Sequence, residues 1–255
     1  MLRRFFIALQ FMTRFPVPRT ETSSPQDLGK AAAFFPLVGV IVGLSAALAF
    51  VLLHRVLPLP VSILGAMIVA AFLTNGLHED GFADVFDGFG GGWSKERTLE
   101  IMRDSRIGVY GVLALVFLVL TKLQLLSALS PPQIWRWLIV GHVAGRWAPL
   151  ALGAWLPPAS NEGLGKLVAK RSGPLEMTIG TVTVIIVLSL TLRWQAALIA
   201  FVVTALVTLL SGLYFRRRLQ GVTGDCLGAA IQFIEVAMYL TAAVLNSLDT
   251  HSVLN

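Results

Sequence analysis

The chain has 255 residues, of which 56% are hydrophobic and only 13% charged, about half the charged share of an ordinary soluble domain. This composition, with a mean hydropathy of +0.77, argues against a water-soluble globule, and a single cysteine, Cys226, excludes an internal disulfide or a Cys-pair metal site. The net charge of +6 would suit a nucleic-acid binder, but in so apolar a chain it is read as basic loops facing anionic lipid, and nucleic acid is not an expected partner.

The N-terminus, MLRRFFIALQFMTRFPVP, joins a basic start to a short apolar stretch. Arg14 interrupts that stretch and no small-x-small site follows, so an amphipathic helix on the membrane surface is expected rather than a cleaved leader. Seven apolar stretches then approach the length needed to cross the hydrocarbon, at 31–53, 61–77, 109–129, 134–156, 176–192, 194–215 and 226–248. The second and fifth are short, so six to eight spans bracket the reading. No linker or low-complexity tract divides them. The expectation is an all-α, polytopic helical bundle forming one membrane-embedded catalytic domain, 1–255.

Lys and Arg orient the bundle. With the N-terminus inside, the inner segments hold Arg3, Arg4, Arg14, Arg19, Lys30, Lys95, Arg97, Arg103, Arg106, Lys166, Lys170, Arg171, Arg216, Arg217 and Arg218. The outer segments hold only Arg55 and Arg193. The polar loops 78–108, 157–175 and 216–225 then all face the cytoplasm.

The first of these loops opens with HEDGFADVFDGFGGG, which carries Glu79, Asp80, Asp84 and Asp87, four of the fourteen acidic residues. If the second span continues through it as a helix, Asp84 lies about 40° from Asp80 and Asp87 about 20° away on the other side, so the three share a face. Glu79 reaches in from a quarter-turn away. Such a face beside lipid repels itself, and Mg²⁺ would relieve the repulsion while leaving positions open for phosphate. Gly88, Gly90, Gly91 and Gly92 are expected to end the helix and to let backbone N–H groups approach an anion. Lys95, Arg97, Arg103 and Arg106 follow as phosphate ligands. Asp104 is either a further ligand or an ion-pair partner of its arginines. His78 is a candidate base or hydrogen-bonding group. The bland alternative is a solvated acidic loop with a glycine hinge.

GVTGDCLGA, at 221–229, opens the last span. Thr223 and Asp225 sit where a helix N-terminus favours anions, although Asp225 can equally be a simple cap. Glu235 lies about 15 Å deeper at 1.5 Å per residue. A charge at that depth marks a function or a partner, and Arg146, with His142 one turn away, is the expected partner shaping the inner end of the cavity, the two forming either a structural pair or a substrate contact. Lys122 is expected to snorkel to the outer surface.

GLHEDGFADVFDGFGGG and RTLEIMRDSRIGVYG, together with RFPVP, AGRWAP and GVTGDCLGA, resemble the cobalamin synthase family (adenosylcobinamide-GDP ribazoletransferase) from residue 14 to at least 235. Val85 and Phe86 stand where smaller or more polar residues are common in that family. The resemblance implies an inner-membrane enzyme whose active site faces the cytoplasm. It would join adenosylcobinamide-GDP to α-ribazole or its 5′-phosphate, with GMP as the second product and Mg²⁺ as cofactor. Implied roles are metal binding at Glu79, Asp80, Asp84 and Asp87, phosphate binding at Arg103 and Arg106, completion of the metal site or contact with ribazole at Asp225, and proton transfer at His78 or a carboxylate. Expected partners are the corrinoid nucleotide, ribazole and membrane lipid. A second copy of the chain or other enzymes of cobalamin synthesis are candidate partners. Competing readings are a CDP-alcohol phosphotransferase, echoed in DVFDG, a prenyltransferase, and a cation-coupled transporter.

Overall fold

A computed structural model describes residues 1–17, 25–160 and 172–253. Arg19, Lys166, Lys170 and Arg171 lie outside the described residues. The chain runs α1 (Leu2–Met12), α2 (Pro25–Ala31), a 3₁₀ turn (Ala32–Phe34), α3 (Phe35–Leu53), α4 (Leu59–Leu73), α5 (Leu77–Gly91), α6 (Lys95–Met102), α7 (Val109–Ser127), α8 (Pro131–Gly145) and α9 (Trp147–Trp155). Then follow α10 (Pro174–Thr191), α11 (Trp194–Leu219) and α12 (Gly224–Val253). The architecture is all-α, as expected. Among the described residues the non-helical pairing is a bridge between Pro158 and Val222.

Five helical segments are long and apolar enough to cross a membrane, or six if α4 and α5 count as one bent span. The fourth expected span is instead divided at Arg146 into helices of 15 and 9 residues. Each is shorter than the roughly 20 residues a span needs. The second ends at α4. The expected continuous helix into the acidic stretch does not form, because Asn75 (φ 58°) and Gly76 (φ 65°) adopt left-handed backbone and turn the chain by 89° before α5 begins. Asn and Gly are the residues that tolerate this conformation, so the corner is written in the sequence pair itself.

Small residues set the closest helix contacts, as is usual where packing alone draws helices together in lipid. A Cβ on Gly39 would lie 2.5 Å from the His142 carbonyl oxygen, and one on Gly43 would lie 2.8 Å from Ile139 Cα. These contacts seat α8 on α3. The N-terminal helix α1 is amphipathic, but it does more than lie on a surface: Ile7, Ala8, Leu9 and Met12 are buried, and the helix packs on α2 and α3.

Candidate active site

The acidic helix α5 is pinned by α12. A Cβ on Gly81 would fall 2.8 Å from Asp225 Cα, and one on Gly228 would fall 3.3 Å from His78 Cα. Two glycines, one on each helix, therefore allow backbone contact and bring Asp225 to the α5 carboxylates. Asp225, Asp80 and Asp87 all repel the charge on Asp84. Thr223 takes the capping role considered for Asp225: its Oγ1 accepts from the Cys226 N–H at 3.2 Å. Asp225, in the first turn of α12, is left to face the site, with the Thr223 hydroxyl donating to it at 3.3 Å.

Beside these residues is a cavity of about 430 Å³. His78, Asp80, Arg103, Ser160, Thr223 and Asp225 form its polar lining. Phe11 and Met12 of α1, Phe35 of α3, Leu99 and Met102 of α6, and Leu227 and Ile231 of α12 are among its apolar walls. His78 is 3% exposed, and its Nε2 has no partner among the described residues. Arg103 donates to Ser160 Oγ at 2.7 Å.

The four carboxylates expected to act together are divided. Asp87 accepts from the Gly108 N–H at 2.7 Å and the Gly111 N–H at 2.9 Å, so both oxygens are spent on the first turn of α7. Glu79 turns to the opposite side of α5, where its Oε1 accepts from Gln232 Nε2 at 3.0 Å. Asp80 and Asp84 remain, joined by Asp225, which the family resemblance offered as a group to complete the metal site or contact ribazole. Among the described residues no three His, Cys, Asp or Glu side chains converge to hold a metal ion unaided. A hard cation needs only one or two carboxylates when substrate phosphates complete its shell, and Asp80, Asp84 and Asp225 suit that chemistry.

The glycines and basic residues also differ from expectation. Gly88, Gly90 and Gly91 lie inside α5, which ends only at Gly92. Their N–H groups belong to the helix ladder and are not presented to an anion. Their small size serves packing instead: a Cβ would fall 2.5 Å from the Met102 side chain at Gly88, 2.7 Å from the Tyr110 ring at Gly90, and 3.2 Å from Ile101 Cδ1 at Gly91. Of the four cations expected to bind phosphate, Arg103 lines the cavity, and Lys95, Arg97 and Arg106 do not. Lys95 is half-buried at the start of α6, and Arg97 pairs with Glu100 at 2.8 Å. Arg106 clasps Asp104 at 2.7 Å. This hydrogen bonding holds the Asp104 carboxyl down at about 2.

On the membrane side of α5 a buried charge network joins α5, α7, α8 and α12. Glu235 pairs with Lys122 at 2.6 Å and with His142 at 2.8 Å, while Arg146 stands 3.9 Å away. The Arg146–Glu235 proximity is as expected, but neither residue lines the cavity beside Asp80 and Asp225, whose inner end they were expected to shape. Lys122 does not snorkel: it is 5% exposed, and it also donates to Gln232, whose amide continues to Glu79. A carboxylate in lipid recruits the cation, since an unpaired charge there is the costlier outcome. Sequence reading missed Lys122 and Gln232, although the ten residues from Asp225 to Glu235 carry Gln232 at a spacing that shares Glu235's side of a helix. It also missed Arg218, which donates to the Phe89 and Gly92 carbonyls at 3.2 and 2.9 Å and so caps the C-terminus of α5.

The fold and the site together define a polytopic membrane protein with an acidic small-molecule cavity at the ends of its helices. Residues 4–243 match the family described as cobalamin-5-phosphate synthase, and the chain belongs to that family. Relatives include the adenosylcobinamide-GDP ribazoletransferases of Shewanella baltica strain OS155, 39% identical over 96% of this chain and 95% of the relative. That of Shewanella frigidimarina is 40% identical over 94% of this chain and 93% of the relative. No solved structure matches.

Proposed function

We propose that the protein is the transferase that joins adenosylcobinamide-GDP to α-ribazole or its 5′-phosphate, releasing adenosylcobalamin or its phosphate together with GMP. Family membership supplies the substrates. The observation that carries the reading is a cavity where a buried histidine with an unpartnered nitrogen meets carboxylates from two helices, Asp80 of α5 and Asp225 of α12. The ribose 3′-oxygen of ribazole forms a bond to the phosphorus that carries the aminopropanol arm. The bond from that phosphorus to the bridging oxygen breaks, and GMP leaves with the electron pair. His78 is placed to take the hydroxyl proton. Arg103 offers a fork of donors to phosphate oxygens.

Mg²⁺ belongs to the same proposal, with Asp80, Asp84 and Asp225 as its protein ligands; when bound, it offsets charge on the diphosphate. His78, Asp80, Arg103 and Asp225 do the rest by positioning, which supplies most of the rate in phosphoryl transfer. Residence in the inner membrane with the site facing the cytoplasm is supported by the Lys and Arg bias of the seven apolar stretches, fifteen on one side against two on the other when α8 and α9 together make one crossing. Contact with lipid is supported by exposed apolar side chains such as Phe117 on α7 and Leu190 on α10.

The test is turnover by purified protein in lipid nanodiscs supplied with both substrates and Mg²⁺. GMP and a corrinoid product carrying the ribazole base are expected, with loss on chelation and recovery on adding Mg²⁺. Absence of both products from folded protein would end the proposal.

A further inference from the structure

We propose that the cavity beneath Asp80 and Asp225 is the seat of the nucleoside acceptor, and that the corrinoid docks outside it; this rests on the transferase reading above. Size is the first argument. Small-ligand cavities run from roughly 300 to 1,000 Å³, and this one, at about 430 Å³, is near the lower end. A benzimidazole with one ribose is a ligand of that class. A corrin ring with its amide arms, upper adenosyl group and GDP arm is several times larger and has no room there.

The lining is the second argument. Phe11 and Phe35, from α1 and α3, both line the cavity. Their rings are stacked, with centroids 5.9 Å apart and planes at 11°. Phe35 is fully buried, so the ring that fronts the cavity is that of the partly buried Phe11, backed by Phe35, a surface suited to a flat bicyclic base. Along α12 the lining changes from Asp225 to Leu227 and then Ile231, about 9 Å further along at 1.5 Å per residue. A nucleoside has the same polarity gradient: hydroxyls and any 5′-phosphate at one end, and a methylated hydrocarbon edge at the other. With ribose beside Asp80, Asp225 and His78, the dimethylbenzimidazole reaches Leu227 and Ile231. The hydroxyl that reacts then lies on the side of the cavity where the carboxylates and Arg103 meet the corrinoid's diphosphate.

The same lining predicts a preference among bases. A purine would bring ring nitrogens and exocyclic groups against apolar side chains, leaving them without hydrogen-bond partners. A dimethylbenzimidazole leaves only methyl groups there. The N-terminal helix thereby becomes part of the acceptor site through Phe11 and Met12, although no acidic or basic residue of α1 lines the cavity.

The experiment is steady-state kinetics in nanodiscs with both substrates varied, for the unaltered protein and for Leu99→Trp and Ile231→Phe. Leu99 is only partly buried, so its replacement is the milder structural change. Each variant is also assayed with the riboside of unsubstituted benzimidazole. Expected is a rise of about tenfold or more in KM for α-ribazole, with KM for adenosylcobinamide-GDP within about twofold. The preference for the dimethylated base over the unsubstituted one should fall by about the same factor, a ratio that general structural damage would leave alone. If either folded variant instead raises KM for the corrinoid nucleotide and keeps the base preference, the acceptor assignment is wrong while the transferase reading stands. If the unaltered protein makes no product from either riboside, the transferase reading itself fails.

Discussion

Asp87→Asn separates a structural carboxylate from a chemical one. In the native protein Asp87 accepts two backbone N–H bonds, from Gly108 at 2.7 Å and Gly111 at 2.9 Å, and it is 9% exposed. Hydrogen bonds to a charged acceptor contribute about 1.5–3 kcal/mol each. Asparagine keeps one carbonyl oxygen, so one bond survives in weaker, neutral form. The other is replaced by an amide N–H facing a backbone N–H, which leaves a buried donor unsatisfied. Loss of one charge-assisted bond and weakening of the other give a cost of ~2–4 kcal/mol. On the scale of a domain of this size, 1 kcal/mol shifts Tm by about 2–4 °C, so a fall on the order of 10 °C is expected. Asp84→Asn is the control: Asp84 is half-buried, accepts no such backbone pair, and is repelled by Asp225, Asp80 and Asp87. It should abolish turnover and leave Tm unchanged or slightly raised. Thermal melts of both variants in the same detergent, with turnover measured alongside, decide the matter. An Asp87→Asn protein that melts like the native one yet makes no product would show that Asp87 acts on substrate, and the assignment to α7 would be wrong.

Further tests address the other contacts. Lys122→Met leaves Glu235 short of its 2.6 Å partner in a buried site, and breaking such a pair costs about 3–5 kcal/mol. Adding Glu235→Gln should restore part of the lost thermal stability, whereas an additive loss would show that the two are not coupled. Gly81→Ala removes no polar group but sets a methyl 2.8 Å from Asp225 Cα, so α12 must shift. Turnover is expected to drop on the order of 10–100-fold, because sub-ångström misplacement of reacting groups is costly; an unaffected rate would show that α5 and α12 need not touch. The Asp104 carboxyl lies at about 2, below its ordinary 3.8, because Arg106 holds its charged form. A depressed carboxyl contributes stability above its unfolded pKa and loses it as pH falls through the folded one. Between pH 5 and 8 the pair is therefore constant, and Asp104→Asn should leave the shape of the Tm-against-pH curve in that window unchanged. A new slope there would refute the pairing.

What the sequence made legible was composition and clustering. The apolar runs located most of the spans, and HEDGFADVFDGFGGG marked the acidic helix. Proximity across helices was harder to read. Asp225 is 138 residues from Asp87 by number, yet it joins Asp84, because Gly81 and Gly228 permit a backbone contact that no periodicity reports. Helical spacing put Asp80, Asp84 and Asp87 on one face correctly, but it could not reveal that the α7 N-terminus would take both oxygens of Asp87. Glycine was the most ambiguous letter. The run at Gly90 to Gly92 suggested an anion loop, while the tight fits to Tyr110, Ile101 and Thr98 show a helix end packed closely on its neighbours.

The division of adjacent residues on α5 gives the site its organisation. His78 and Asp80 line the cavity, and Glu79, between them, faces the membrane-side network. A helix rotates 100° per residue, so neighbours necessarily diverge, and here the divergence separates two electrostatic environments. On the membrane side Glu235 is held by Lys122 and His142 with Arg146 3.9 Å away, and Glu79 is tied to them through one oxygen by Gln232. On the cavity side Asp80, Asp84 and Asp225 repel one another. The paired side is expected to fix the rotation of α5, and this lets the unpaired side keep carboxylates together that would otherwise move apart. Gln232 is the link where this coupling can be cut without removing a charge. Gln232→Leu should lower kcat and weaken Mn²⁺ binding, read by electron paramagnetic resonance, while Gln232→Glu, which places another carboxylate beside Glu79, should be worse than Leu. If both variants bind Mn²⁺ as the native protein does, α5 does not depend on the network for its orientation, and the two sides are independent.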